Sequence, residues 1–127
     1  MKQQEMKDII DKYIQAYNSF DIDGMLVLMH DDVEFKNISG GNINLTTNGI
    51  KELRSAAEQA KSIFESRYQK INKYNFENDT ASLEIDYEGV LSKDIPNGLK
   101  SGERLKVNEK SVFKFKDGKI VSLLDYS

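Results

Sequence analysis

The chain of 127 residues contains no cysteine and no tryptophan, one proline and one histidine. Without cysteine there is no disulfide, no thiol nucleophile and no cysteine-ligated metal. The single His30 cannot build a histidine-rich zinc site, so no metal is expected. Clustered charge of one sign is also missing: 18 Lys and Arg against 21 Asp and Glu leave a net charge of −3, with the signs interspersed. That balance argues against a nucleic-acid or anionic-membrane partner, since both need grouped Lys and Arg. The start, "MKQQEMKDIIDKY", lacks the apolar run of a signal peptide, and no later run is long enough to span a bilayer. A cytoplasmic protein is expected. The remaining composition, 39% hydrophobic and 31% charged, is that of a globular protein, read as one domain over residues 1–127.

Met6, Ile9, Ile10, Tyr13, Ile14, Tyr17 and Phe20 recur at three- and four-residue spacing and predict a first helix. Asp21 predicts the N-cap of a short second helix carrying Met25, Leu26, Leu28 and Met29. "DVEFKNI" alternates as a strand, "SGGN" reads as a turn, and "NINL" as a short return strand. Asn48 is placed to cap a third helix running to about Phe64, with Leu53, Ala56, Ala57 and Ala60 facing inward. From there the period is two: "SRYQKINKYNF", "ASLEIDYEGVL", "RLKVNEKSVFKFK" and "KIVSLLDY" read as strands. Asn78-Asp79, "DIPNGLKSGE" and Asp117-Gly118 are the turns between them. This order predicts an α+β fold with helices packed on one face of a curved, mostly antiparallel sheet.

Three strands carry polar residues on apolar faces. Val33 and Phe35 share a face with Asn37; Leu105, Val107, Phe113 and Phe115 share one with Glu109 and Ser111; Val121 and Leu123 share one with Asp125. A buried unpaired carboxylate is costly, so two of them on apolar faces suggest a cavity. Tyr13 and Tyr17 could donate hydrogen bonds into it. Plainer readings stand beside this one. Asp125 could lie on a frayed last strand, Glu109 could pair with Arg104 or a lysine or sit at a dimer seam, and Asn37 could cap the glycine turn. The tyrosines could be ordinary core, and His30 could close the second helix by satisfying its last carbonyls. Lys106, Lys110 and Lys114 read as a solvated outer face.

The stretch "YIQAYNSFDIDGMLVLMHDDVEF", the helix from Asn48 and the terminal "F…DGKIVSLLDY" resemble the nuclear-transport-factor-2-like superfamily, and within it the SnoaL-like proteins. The resemblance implies a cone-shaped fold: three N-terminal helices over a strongly curved mixed sheet, a deep pocket between them, and a homodimer through the sheet. It also implies a choice of activities, among them isomerase, cyclase, dehydratase and epoxide hydrolase, or no catalysis at all. Matched to the ketosteroid isomerases, the oxyanion-stabilising tyrosine falls on Tyr13, the general-base aspartate on Asn37 and the second aspartate near Ser111. An amide cannot take up a proton at neutral pH, so steroid isomerisation by that route is not expected. Matched to the polyketide cyclases, the acid–base aspartate of the last strand is Asp125, with Leu123-Leu124 where those enzymes carry His-Trp. The Asp–Arg–Asp arrangement of the epoxide hydrolases cannot be assembled from the sequence.

These strands of argument give one expectation. A small, mostly apolar carbonyl compound is bound in the pocket, with Asp125 as acid–base group, Glu109 raising its pKa and Tyr13 donating to the enolate oxygen. Tyr17, Asn37, Ser111, Phe35, Phe113, Leu123 and Met29 are the expected ligand contacts, and no cofactor is required. The alternative is a non-catalytic ligand-binding or dimerisation/assembly domain, the last with the outer sheet face carrying the function.

Overall fold

A computed structural model of the chain describes residues 1–96 and 98–127. In chain order the elements are α1 (Gln3–Asn18), α2 (Ile22–Leu26), β1 (Met29–Ser39), β2 (Asn42–Asn48), α3 (Gly49–Ile63), β3 (Phe64–Glu77), β4 (Thr80–Leu91), β5 (Arg104–Lys116) and β6 (Lys119–Tyr126). The strands form one sheet in the order β2-β1-β6-β5-β4-β3. β1 runs parallel to β6, and the other neighbours pair antiparallel. Three helices on a curved mixed sheet are the α+β arrangement read from the sequence. The proposed loop over residues 94–103 includes residue 97, which lies outside the described residues.

α1 starts where Glu5 accepts a hydrogen bond from the Lys2 backbone N–H at 3.3 Å. It buries Met6, Ile10, Tyr13 and Ile14, one stripe at helical spacing. The helix stops at Asn18, two residues before the end of that stripe. Ser19 Oγ turns back to the Gln15 carbonyl at 2.9 Å, and Phe20 takes a left-handed φ of 58°. Asp21 does cap α2, accepting from the Gly24 N–H at 2.9 Å. α2 ends at Leu26, so Met29 opens β1 instead of closing the helix. His30 therefore sits on a strand: its Nδ1 accepts from the Asp32 N–H at 3.0 Å, and it caps no helix. Before α3 the Asn48 side chain makes no cap bond; Glu52 accepts from the Asn48 N–H at 3.0 Å instead.

Met6, Ile10, Met29, Val33, Leu83, Ile85, Phe113, Ile120 and Leu123 are at most 1% exposed and form the core between α1, α2 and the sheet. Each such burial contributes about 1.5–3 kcal/mol. Two irregularities decide which side chains face inward. Between Lys114↔Ser122 and Phe115↔Ile120 the register slips by one residue at Val121. Ile120 is thereby buried, Val121 stays half-exposed, and only Leu123 and Asp125 keep the inward face expected for all three. A second slip at Asn72 inverts the alternation of β3, so Arg67, Gln69 and Ile71 share the inward side with Tyr74 and Phe76.

Candidate functional site

β5 changes character along its inward face. Phe113 and Phe115 are buried in the core, whereas Ser111 and Glu109, one and two steps further back, are polar. Over the polar part the helices do not fill the space. α3 presents Ala56, Ala57 and Ala60, whose methyl groups are too short to reach the sheet. A cavity of about 260 Å³ results. That equals the liquid volume of about nine waters and lies just below the usual range of ligand pockets, about 300–1,000 Å³. Leu45 on β2 belongs to its wall and is 41% exposed, so the cavity opens beside that strand. Gly89 has a local reason too: a Cβ there would lie 2.7 Å from the Phe64 ring, which forms part of the wall.

Tyr13, Tyr17, Phe35, Asn37, Glu109 and Asp125 all line this cavity. Asp125 stands in register between Asn37 on β1 and Ser111 on β5. Ser111, 2% exposed, donates from Oγ to Asp125 Oδ1 at 2.6 Å and so lies behind the carboxylate instead of in the wall. Phe113, Leu123 and Met29, expected as ligand contacts, sit in the closed core and do not face the cavity. The polarity switch along each strand marks the border between core and cavity, and these three lie on the packed side of it.

Enclosure sets the electrostatics. Burial pushes the Asp125 carboxyl up to about 6, and the Ser111 bond opposes that rise. Burial, then the neighbouring Asp125 charge, raises Glu109 to about 7. Both acids of this largely apolar chamber are thus pushed up towards neutrality. Tyr13 is held well above the ordinary phenol value, first by burial and next by the Asp125 charge, so it remains an O–H donor. Its ring packs edge-on against Phe113 with centroids 5.6 Å apart, which fixes its orientation.

The sequence did not reveal the opposite wall. Arg67 and Gln69 on β3, each 5% exposed, line the cavity together with Tyr87. The Arg67 Nε donates to the Tyr17 carbonyl at the end of α1 at 3.0 Å, a favourable place for a cation. The guanidinium stacks 3.7 Å from the Tyr17 ring centroid and 4.5 Å from that of Phe20. Tyr17 and Tyr87 bond to each other through their hydroxyls at 2.9 Å. Among the described residues no ion pair joins Arg67 to Asp125 or Glu109. Ile71, an apolar residue at the same parity, was the one available signal for Arg67 and Gln69. No group of three His, Asp or Glu among the described residues is placed to hold a metal ion. No helix there is long and apolar enough to cross a membrane.

The model of the SnoaL-like domain family matches residues 10–123. A candidate polyketide cyclase from Silicibacter sp. TM1040 is 22% identical, with a TM-score of 0.77 over 99% of this chain and 90% of that one. An LEH-like epoxide hydrolase of M. tuberculosis is 16% identical, TM-score 0.77, over 97% and 82%. A protein with a ketosteroid isomerase-like fold from Catenulispora acidiphila DSM 44928, in complex with trimethylamine, is 17% identical, TM-score 0.77, over 94% and 84%. At such identities the likeness is one of fold. A search of curated proteins finds no sequence match.

Proposed function

The chain belongs to the SnoaL-like family, and from that premise we propose that it binds a small, mostly apolar carbonyl compound in the cavity and moves a proton at the carbon beside the carbonyl. The observation that carries the reading is Asp125, enclosed at the cavity wall with its carboxyl raised to about 6 and its orientation fixed by Ser111 at 2.6 Å. A base poised near neutrality is what proton abstraction from carbon needs, and a purely structural carboxylate has no use for it.

In this reading the Asp125 carboxylate takes the proton, and the C–H electron pair forms a carbon–carbon double bond. The carbonyl oxygen gathers the negative charge and accepts a hydrogen bond from the neutral Tyr13 hydroxyl. The protonated Asp125 then returns its proton, to the same carbon or to a conjugated one. Glu109, whose carboxyl is raised to about 7, supplies or drains protons at the same chamber. Asn37, beside Asp125 in register, orients the substrate without titrating. The chemistry draws on these side chains and on no cofactor.

The test is deuterium uptake in D₂O by a panel of small ketones and aldehydes, followed by proton NMR. Wild type should exchange the protons next to the carbonyl far faster than buffer, and Asp125→Asn should lose at least a hundredfold of that rate. Ligand binding with no exchange by any compound would leave a binding protein and sink the acid–base reading.

The same reading includes a homodimer through the outer face of the sheet. That face sets Glu84 opposite Lys110 and Glu88 opposite Lys106, beside the exposed rings of Tyr68 and Tyr126. Light scattering on the eluting protein should give twice the 14.5 kDa chain mass. Lys110→Glu, which makes a like-charge pair there, should shift it towards monomer.

A further inference from the structure

The chain has three arginines. Arg54 and Arg104 are surface residues paired with Asp23 and Glu88. Arg67 is the buried one, and its surroundings satisfy it incompletely. The Tyr17 carbonyl and the two rings fix the plane of the guanidinium, yet Nη2 has no acceptor. Two residues along the same strand, Gln69 leaves its Oε1 without a donor. Both side chains line the same cavity. A guanidinium stays charged at any physiological pH, and a buried ion without a counter-ion is among the costliest groups a fold can hold.

Other groups nearby do not fill the role. The Tyr17 and Tyr87 hydroxyls are engaged with each other. Asp125 is taken by Ser111, and Asp125 and Glu109 are both drawn towards their neutral forms. Burial holds the Tyr17 hydroxyl above the ordinary phenol value; the Arg67 charge opposes that rise, and those of Asp125 and Glu109 add to it. The cavity thus holds two acids and a cation, with no ion pair between them among the described residues.

We propose that Arg67, with Gln69 beside it, binds a carboxylate, so that the ligand is an apolar molecule with a carboxylate at one end and its reacting carbonyl at the other. A planar guanidinium matches a carboxylate with paired N–H groups. The Gln69 amide can turn to add an N–H of its own. The alanines of α3 and the Phe64 ring add apolar wall to the same cavity. This proposal rests on the reading that the cavity holds the ligand, but it concerns recognition and is tested without turnover.

The experiment titrates wild-type protein with 3-phenylpropionate, 3-phenylpropanamide and 3-phenylpropylamine, which differ in the end group alone. Calorimetry gives affinities, and ¹⁵N spectra of the three arginine Nε–H groups show where binding occurs. The carboxylate should bind at least tenfold tighter than the amide. It should shift the Nε–H signal that Arg67→Lys removes and leave those of Arg54 and Arg104 in place. Gln69→Met should weaken the carboxylate about threefold; its side chain makes no bond that the fold needs, so this variant serves even if Arg67→Lys does not fold. Equal binding of amide and carboxylate, tighter binding of the amine, or no binding of any probe at millimolar concentration would overturn the proposal. Carboxylate binding at Arg67 without deuterium exchange would sink the acid–base reading alone. Exchange with no preference for the carboxylate would sink this one alone.

Discussion

One strand divides the molecule into two halves. At Phe113 and Phe115, β5 faces a solid core in which Met6, Ile10, Leu83, Ile120 and Leu123 leave almost no accessible surface. At Ser111 and Glu109 the same face of the same strand borders a chamber under the alanines of α3. Both stretches pair with β4 in one unbroken register. What differs is the length of the side chains opposite, and with it the cost of holding a charge. In the packed half stability comes from lost water contact and close packing. In the hollow half polar groups remain only partly paired, and that incompleteness is what chemistry can use.

The largest effect should come from the packed half. Phe113→Ala should lower stability by about 3–5 kcal/mol, read as a fall in the urea midpoint, because neighbours on all sides hold the cavity open. A loss below about 1 kcal/mol would blur the division. The hollow half should respond to pH. Asp125 and Glu109 have folded pKa values of about 6 and about 7, above their ordinary 3.8 and 4.5, so the folded state holds protons that the unfolded state releases. The pair's contribution to stability is therefore complete below about pH 4 and is lost as pH rises through about 7, by up to about 6 kcal/mol. Asp125→Asn should remove about half of that slope and melt higher than wild type at pH 8. An unchanged slope would place the titration elsewhere.

Smaller effects sharpen the contrast. Gln69→Met removes an unpartnered buried acceptor, so its stability should match or exceed wild type by up to about 1 kcal/mol. Ala60→Leu extends a side chain into the chamber. In a packed core that enlargement costs about 1–3 kcal/mol, whereas here the melting temperature should barely move while ligand binding is lost.

Much of this division is legible in the sequence. The stripe from Met6 to Tyr17 fixes the inward face of α1, and the change from Phe113 and Phe115 to Ser111 and Glu109 marks where packing gives way. Asp125 follows from its parity with Leu123. The place of Arg67 and Gln69 in the lining was not legible, and the reason is local. Counting back from Tyr74 and Phe76 by twos would bring Tyr68 and Lys70 inside; the bulge at Asn72 reverses that parity and buries Arg67 and Gln69 instead. Val121 and Ile120 change places for the same cause. Bulges are set by how the whole sheet bends, and a pattern of alternation carries no mark of them. Phe113, Leu123 and Met29 were assigned to the wrong half because an apolar residue reads alike in a core and in a pocket wall.

The central claim is that Asp125 and Glu109 form a proton-handling pair inside the chamber. A ¹³C NMR titration of the side-chain carboxyls tests it most directly, with Asp125→Asn and Glu109→Gln assigning the signals. Two coupled transitions between about pH 5.5 and 7.5, each altered when the partner is replaced, are the predicted result. Independent transitions near 4 for both groups would contradict the account and return them to ordinary surface carboxylates.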